Sequence, residues 1–270
     1  MKRSSLMIPA IVFLSLLATT MTLFTPMPGQ IKLVLRLILI TLSITAWLLF
    51  KKQNKHIASL LGFAFFVLNL AFLIVTPFTS EFLKLDMGST KGIAISKLSD
   101  SLIIGSVIIA SILMAKQTLR SIYITKGRLI PGLVTGLVFF ILFGFLAFRN
   151  PAQPVDISFL MNNWVWILIF VMANGFMEEL IFRGIFLEKL NLLFNHHLSI
   201  LITSVCFAMP HIVVQYQANV LLFTGICFVL GMICGYAMHY TRSIIAPTLI
   251  HAGADLMIMV PIFATYGITG

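Results

Sequence analysis

SFLMNNWVWILIFVMANGFMEELIFRGIF, residues 158–186, carries no ionisable side chain until Glu178 and then three within six positions, Glu178, Glu179 and Arg183. The apolar part alone is as long as the roughly 20 residues a helix needs to cross a hydrocarbon core of about 30 Å. This stretch therefore reads as a transmembrane helix. Its charges are side chains that a bilayer should exclude, so each is a candidate functional residue.

Similar windows recur on both sides of it. The chain has 270 residues, of which 60% are hydrophobic and 10% charged, and its mean hydropathy is +1.06. A soluble domain is nearer half apolar and about a quarter charged, so composition excludes both a water-soluble enzyme and a disordered chain. The expected fold class is all-α, a polytopic transmembrane bundle of eight or nine helices. The spans are read at residues 6–24, 33–50, 57–77, 101–115, 129–148, 158–186, 198–214, 219–240 and 243–264. The fourth is short for a bilayer and should extend back toward Ile93, bringing Lys97 and Asp100 near an interface. The first follows Lys2 and Arg3 and could be a signal peptide. Its length and the spans that follow at once favour a retained helix. Residues 1–150 are read as N-terminal transmembrane helices of unassigned role, and 151–270 as the part that carries the chemistry.

The formal net charge is +10, which in a soluble protein would suggest nucleic-acid binding. In a membrane protein, basic loops are a topology signal, so no nucleic-acid partner is expected. With the N-terminus in the cytoplasm, Lys2, Arg3, Lys51, Lys52, Lys55, Lys116, Arg120, Lys126, Arg128, Lys189 and Arg242 lie inside. Lys32, Arg36, Lys84, Lys91, Lys97 and Arg149 then lie outside. The excess inside places a multi-pass protein in the cell membrane with a cytoplasmic N-terminus. Cys206, Cys227 and Cys234 lack metal or redox spacing and are read as buried thiols.

Nearly all the ionisable residues within the spans fall in the last third: Glu178, Glu179, Arg183, His211, His239, His251 and Asp255. Glu179 and Arg183 stand four apart, the acid first, which is the favourable order for a helical ion pair. Glu178 is turned about 100° from that pair and has no partner on its own helix. His251 and Asp255 share a helix face, as do Phe207 and His211, with Pro210 bending the chain just before the imidazole. His239, near a loop, is read as a helix-to-helix hydrogen bonder. Measured from their helix ends at 1.5 Å per residue, Glu178, His211 and His251 lie about 15, 21 and 14 Å deep, close to one level. A carboxylate and two imidazoles can therefore meet in one cavity. There Glu178 can take a proton from water while an imidazole orients the water and another donor holds an oxyanion. Glu178, His211 and His251 are also a possible zinc ligand set with an open fourth position. The residues leave both chemistries open. No Gly-x-Ser-x-Gly nucleophile and no second intramembrane aspartate support a serine or aspartyl mechanism.

Glu178-Glu179-Leu180-Ile181-Phe182-Arg183 resembles the Glu-Glu-x-x-x-Arg motif of the CPBP family, which comprises the Rce1-like CAAX prenyl protease 2 enzymes and the bacteriocin-processing proteins also labelled Abi. Phe207-Ala208-Met209-Pro210-His211 is similar to the family's second motif, Phe-x-x-x-His. His251-Ala252-Gly253-Ala254-Asp255 is similar to the third, a His followed four residues later by Asn or a substitute. Three motifs in order on three spans cover about 110 residues and make a specific match. The resemblance implies Glu178 as general base with His211, Glu179 and Arg183 in support, and His251 with Asp255 on the oxyanion side. An ionised Asp255 would repel an oxyanion where an Asn amide would donate, so it must be protonated, pair with His251 or ligate a metal.

The leading expectation is an intramembrane endopeptidase acting on a membrane-associated peptide or protein. A non-catalytic immunity or scaffold protein of the same fold is the second, and a proton-coupled transporter hinged at Pro131, Pro210 and Pro247 the third. Gly231-x-x-x-Gly235 is read as a packing face within the bundle, and the oligomeric state stays open.

Overall fold

The structure is a computed structural model that describes residues 4–77, 83–149, 155–214 and 219–265. The described residues form α1 (Ser4–Phe24), α2 (Gly29–Lys52), α3 (His56–Pro77), α4 (Thr90–Met114), α5 (Leu129–Phe148) and α6 (Ile157–Glu179). After these come α7 (Leu187–Leu190), α8 (His196–Ala208), α9 (Val220–Thr241) and α10 (Ile245–Thr265), with no strand among them. Eight helical segments are long and apolar enough to cross a bilayer, with α6 and α7 joined as one and α8 extended to Val213; the apolar part of α1, Pro9–Phe24, is shorter. The fold is a multi-pass helical bundle.

The helices begin where the sequence offers a cap. The side chains of Ser89, Asp156, Asn195 and Asn219 accept from backbone N–H groups in the first turns of α4, α6, α8 and α9, satisfying donors a helix start leaves open. At one end of the bundle a short 3-10 turn, Leu119–Ile122, and the chain after it are tied to the α9–α10 connection. Arg128 N donates to Thr241 O (2.7 Å), Ile244 N to Tyr123 O (3.0 Å) and Ser243 Oγ to Thr125 O (2.6 Å). Gly127, at φ +49°, lies against Thr241 O where a Cβ would collide, so glycine is required there.

Burial separates the helices. The α10 span is 72% buried and the α6–α7 span 61%, against 11% for α2 and 17% for α5. The helices bearing the motifs thus lie in the interior, while α2 and α5 turn apolar side chains to lipid. Gly175 seats α6 directly on α10, since a Cβ there would lie 3.0 Å from Thr248 O and 3.1 Å from Ala252 N. On α9, Gly235 faces Ile200 of α8, and Gly231 faces Ser204 and the Arg183 guanidinium, so the Gly-x-x-x-Gly face packs within the bundle as expected.

The fourth span extends back as its shortness required: α4 starts at Thr90, three residues before Ile93. Other expectations need correction. The sixth span is not one helix to Phe186. The span itself runs on from Ile157 to Leu190, but its α-helix stops at Glu179 and widens into a π-turn, Leu180–Gly184, closed by Ile185 N donating to Leu180 O at 2.9 Å. Arg36, counted with the outer-face cations, is buried on α2 and donates to Phe72 O at 2.9 Å. Lys189, read as a loop cation, is buried and donates to Ser121 O at 3.0 Å.

Candidate active site

Glu179 sits at the last α-helical position of α6, fully buried. Its Oε1 accepts from Arg183 Nη1 at 2.9 Å and lies 2.8 Å from His251 Nδ1. A carboxylate paired with a guanidinium can only accept, so His251 Nδ1 carries the proton and donates. The expected Glu179–Arg183 pair is therefore present and also fixes an imidazole on α10. Arg183, likewise fully buried, sits in the π-turn with its guanidinium 4.7 Å from the Phe207 ring centroid. Among the described residues its Nε and Nη2 have no hydrogen-bond partner, and the aromatic face supplies part of what they lack.

One residue earlier the chain turns Glu178 toward a cavity of about 420 Å³. Its wall includes Glu178, His211, His251 and Asp255, so the motif residues facing the cavity come from three helical segments. His251 Nε2 lies 3.8 Å from Glu178 Oε2 and 3.7 Å from Asp255 Oδ1. Glu178 thus finds its neighbour on α10. His211, in the 3-10 turn Met209–Val213 that prolongs α8 past Pro210, places Nδ1 3.0 Å from Phe207 O. A carbonyl only accepts, so Nδ1 of His211 also carries a proton. Both imidazoles are held through Nδ1, which leaves Nε2 of each for chemistry.

Asp255 does not hydrogen-bond His251. Its Oδ2 accepts from Asn174 Nδ2 at 2.9 Å, and both residues are buried. Asn174 was missed in the sequence although it stands four residues before Glu178 on α6. Its residue type alone gave no signal: Asn163 is as deeply buried on the same helix and merely donates back to Phe159 O. Spacing from Glu178 was the usable clue. Lys97 and Asp100 on α4 also line the cavity, as does Cys227 on α9. His239 lies elsewhere, its ring stacked on His196 with centroids 4.4 Å apart and its Nδ1 without a hydrogen-bond partner among the described residues.

Residues 160–257 match the family model for the type II CAAX prenyl endopeptidase Rce1-like proteins. Over this segment the chain is similar to the Rce1-like proteins. The Rce1-like match begins within α6 and ends within α10, enclosing all three motifs while leaving α4 outside it. No curated protein and no solved structure matches the chain. Among the described residues, no group of three or more His, Cys, Asp and Glu side chains is set to hold a metal ion.

Proposed function

We propose that the Rce1-like segment hydrolyses a peptide bond of a membrane-associated peptide or protein, with Glu178 activating the water. The observation that carries this reading is the pair of imidazoles held through Nδ1 beside a carboxylate with no arginine of its own. Glu178 takes one proton from a water oriented by His211, and the hydroxide oxygen adds to the scissile carbonyl carbon. The carbonyl oxygen becomes an oxyanion, which His251 in its protonated form stabilises from Nε2. Glu178 then returns the proton to the leaving nitrogen as the C–N bond breaks. Glu179 and Arg183 are positioning residues that fix the orientation of His251. Asn174 holds Asp255 by Oδ2, which leaves Oδ1 as the atom nearer His251 Nε2, at 3.7 Å.

Purified protein assayed against a panel of membrane-associated peptides, prenylated ones included, tests this. Cleavage by wild type and its loss in Glu178→Ala, with no effect of a zinc chelator, is the expected result. Loss in chelator as well would assign the water to a metal. Cleavage retained in both Glu178→Ala and His211→Ala would overturn the reading.

A further inference from the structure

A second, larger cavity of about 760 Å³ lies between α1, α2 and α3, outside the Rce1-like segment except for Leu193. It shares no lining residue with the catalytic cavity. Phe65 lines it and packs on Phe186, while Phe207 lines the catalytic cavity and packs on Phe182, so aromatic side chains back both. The walls are mainly apolar, with Ser15, Thr19, Ser43 and Asn69 among the lining residues. On α2 they run from Leu39 to Phe50 and on α3 from Ala58 to Asn69. At 1.5 Å per residue either wall is about 16 Å long. That is close to one leaflet, half of a hydrocarbon core of about 30 Å.

One end of this groove is strongly basic. Lys55 lines it, and Lys51 and Lys52 are exposed at the end of α2 beside it. The ammonium of Lys51 sits 5.9 Å from the Trp47 ring and that of Lys55 5.8 Å from the Phe50 ring, a pairing of aromatic and cationic groups typical of the headgroup level. No Asp or Glu occurs before Glu81, whereas Lys2, Arg3, Lys32, Arg36, Lys51, Lys52 and Lys55 do. Among the described residues, no ion pair joins Lys51, Lys52 or Lys55 at the α2–α3 turn to an acid.

We infer that this groove is a binding site for an anionic glycerophospholipid, with one acyl chain between α1, α2 and α3 and the phosphate on Lys51 and Lys55. The leaflet-length apolar walls set the chain, and the basic end selects the headgroup. The site is independent of peptide cleavage.

Native mass spectrometry of the delipidated full chain tests it, with dioleoyl phosphatidylglycerol and dioleoyl phosphatidylcholine as probes. Wild type should retain one phosphatidylglycerol with about tenfold preference over phosphatidylcholine. Lys51→Gln combined with Lys55→Gln should remove the preference while weak binding of both lipids remains. Ala46→Phe, which fills the groove and keeps the lysines, should remove retention of both. Equal retention of the two lipids by wild type, or a preference that survives the double substitution, overturns the assignment. That wild-type comparison stands even where a variant fails to fold.

Discussion

Replacing Glu178 with Gln keeps the side chain's volume and removes the base, so the loss should fall on turnover. A drop in kcat of about 10²–10⁴-fold with an unchanged melting temperature is expected, read by peptide cleavage and thermal unfolding in detergent. Arg183→Met should behave differently, because it strands the buried carboxylate of Glu179 beside His251. Breaking such a pair from one side costs about 3–5 kcal/mol, measured as lost stability, with activity falling as a consequence. Asp255→Asn should retain cleavage within about tenfold of wild type, since an amide oxygen can still accept from Asn174 while the amide nitrogen can turn toward the oxyanion side. Loss of all activity in that variant would show the charge of Asp255 to be required. At this scale the sequence was informative where a residue was costly to bury: glutamates, an arginine and histidines within apolar spans mark themselves. Asn174 pays a smaller penalty, and apart from its four-residue spacing from Glu178 nothing local distinguishes it from Asn163, so its partnership with Asp255 became visible only when α6 met α10.

Helix α9 approaches the π-turn so closely that Gly231 touches the Arg183 guanidinium. A Cβ there would stand 2.7 Å from Nη2 and 3.1 Å from the Ser204 Cα. Gly231→Ala should therefore cost about 1–3 kcal/mol through overpacking and reduce kcat by displacing Arg183. Gly225, earlier on the same helix, has open space at its Cβ, so Gly225→Ala is the control that should do neither. Hydropathy located every span, because twenty apolar residues leave few alternatives, but it could not mark the break after Glu179. A π-turn keeps its side chains as apolar as an α-turn would: Leu180, Ile181 and Phe182 are all buried. The widening is a matter of backbone hydrogen bonding, and the start of α4 had to be argued from length, because Lys91, Lys97 and Asp100 dilute the hydropathy of a segment that is helical from Thr90.

Across the whole molecule, the matched domain and the helices before it divide the work less cleanly than their boundary suggests. α4 packs on α6 and lends Ile93, Lys97 and Asp100 to the catalytic cavity, although it precedes the matched residues by a full transmembrane helix, α5. The family match thus outlines the chemistry but not the chamber that holds it. On the proposed function, the matched part is not a portable module. A fragment beginning at residue 155 would keep every motif and yet open one side of its reaction chamber to lipid, so it should bind and cleave nothing that the full chain does. Supplying residues 1–149 as a separate polypeptide in the same membrane should restore cleavage by letting α4 dock again. Grafting the three motifs onto another bundle should fail for the same reason: the unit that would have to be moved is an arrangement of helices distant in sequence.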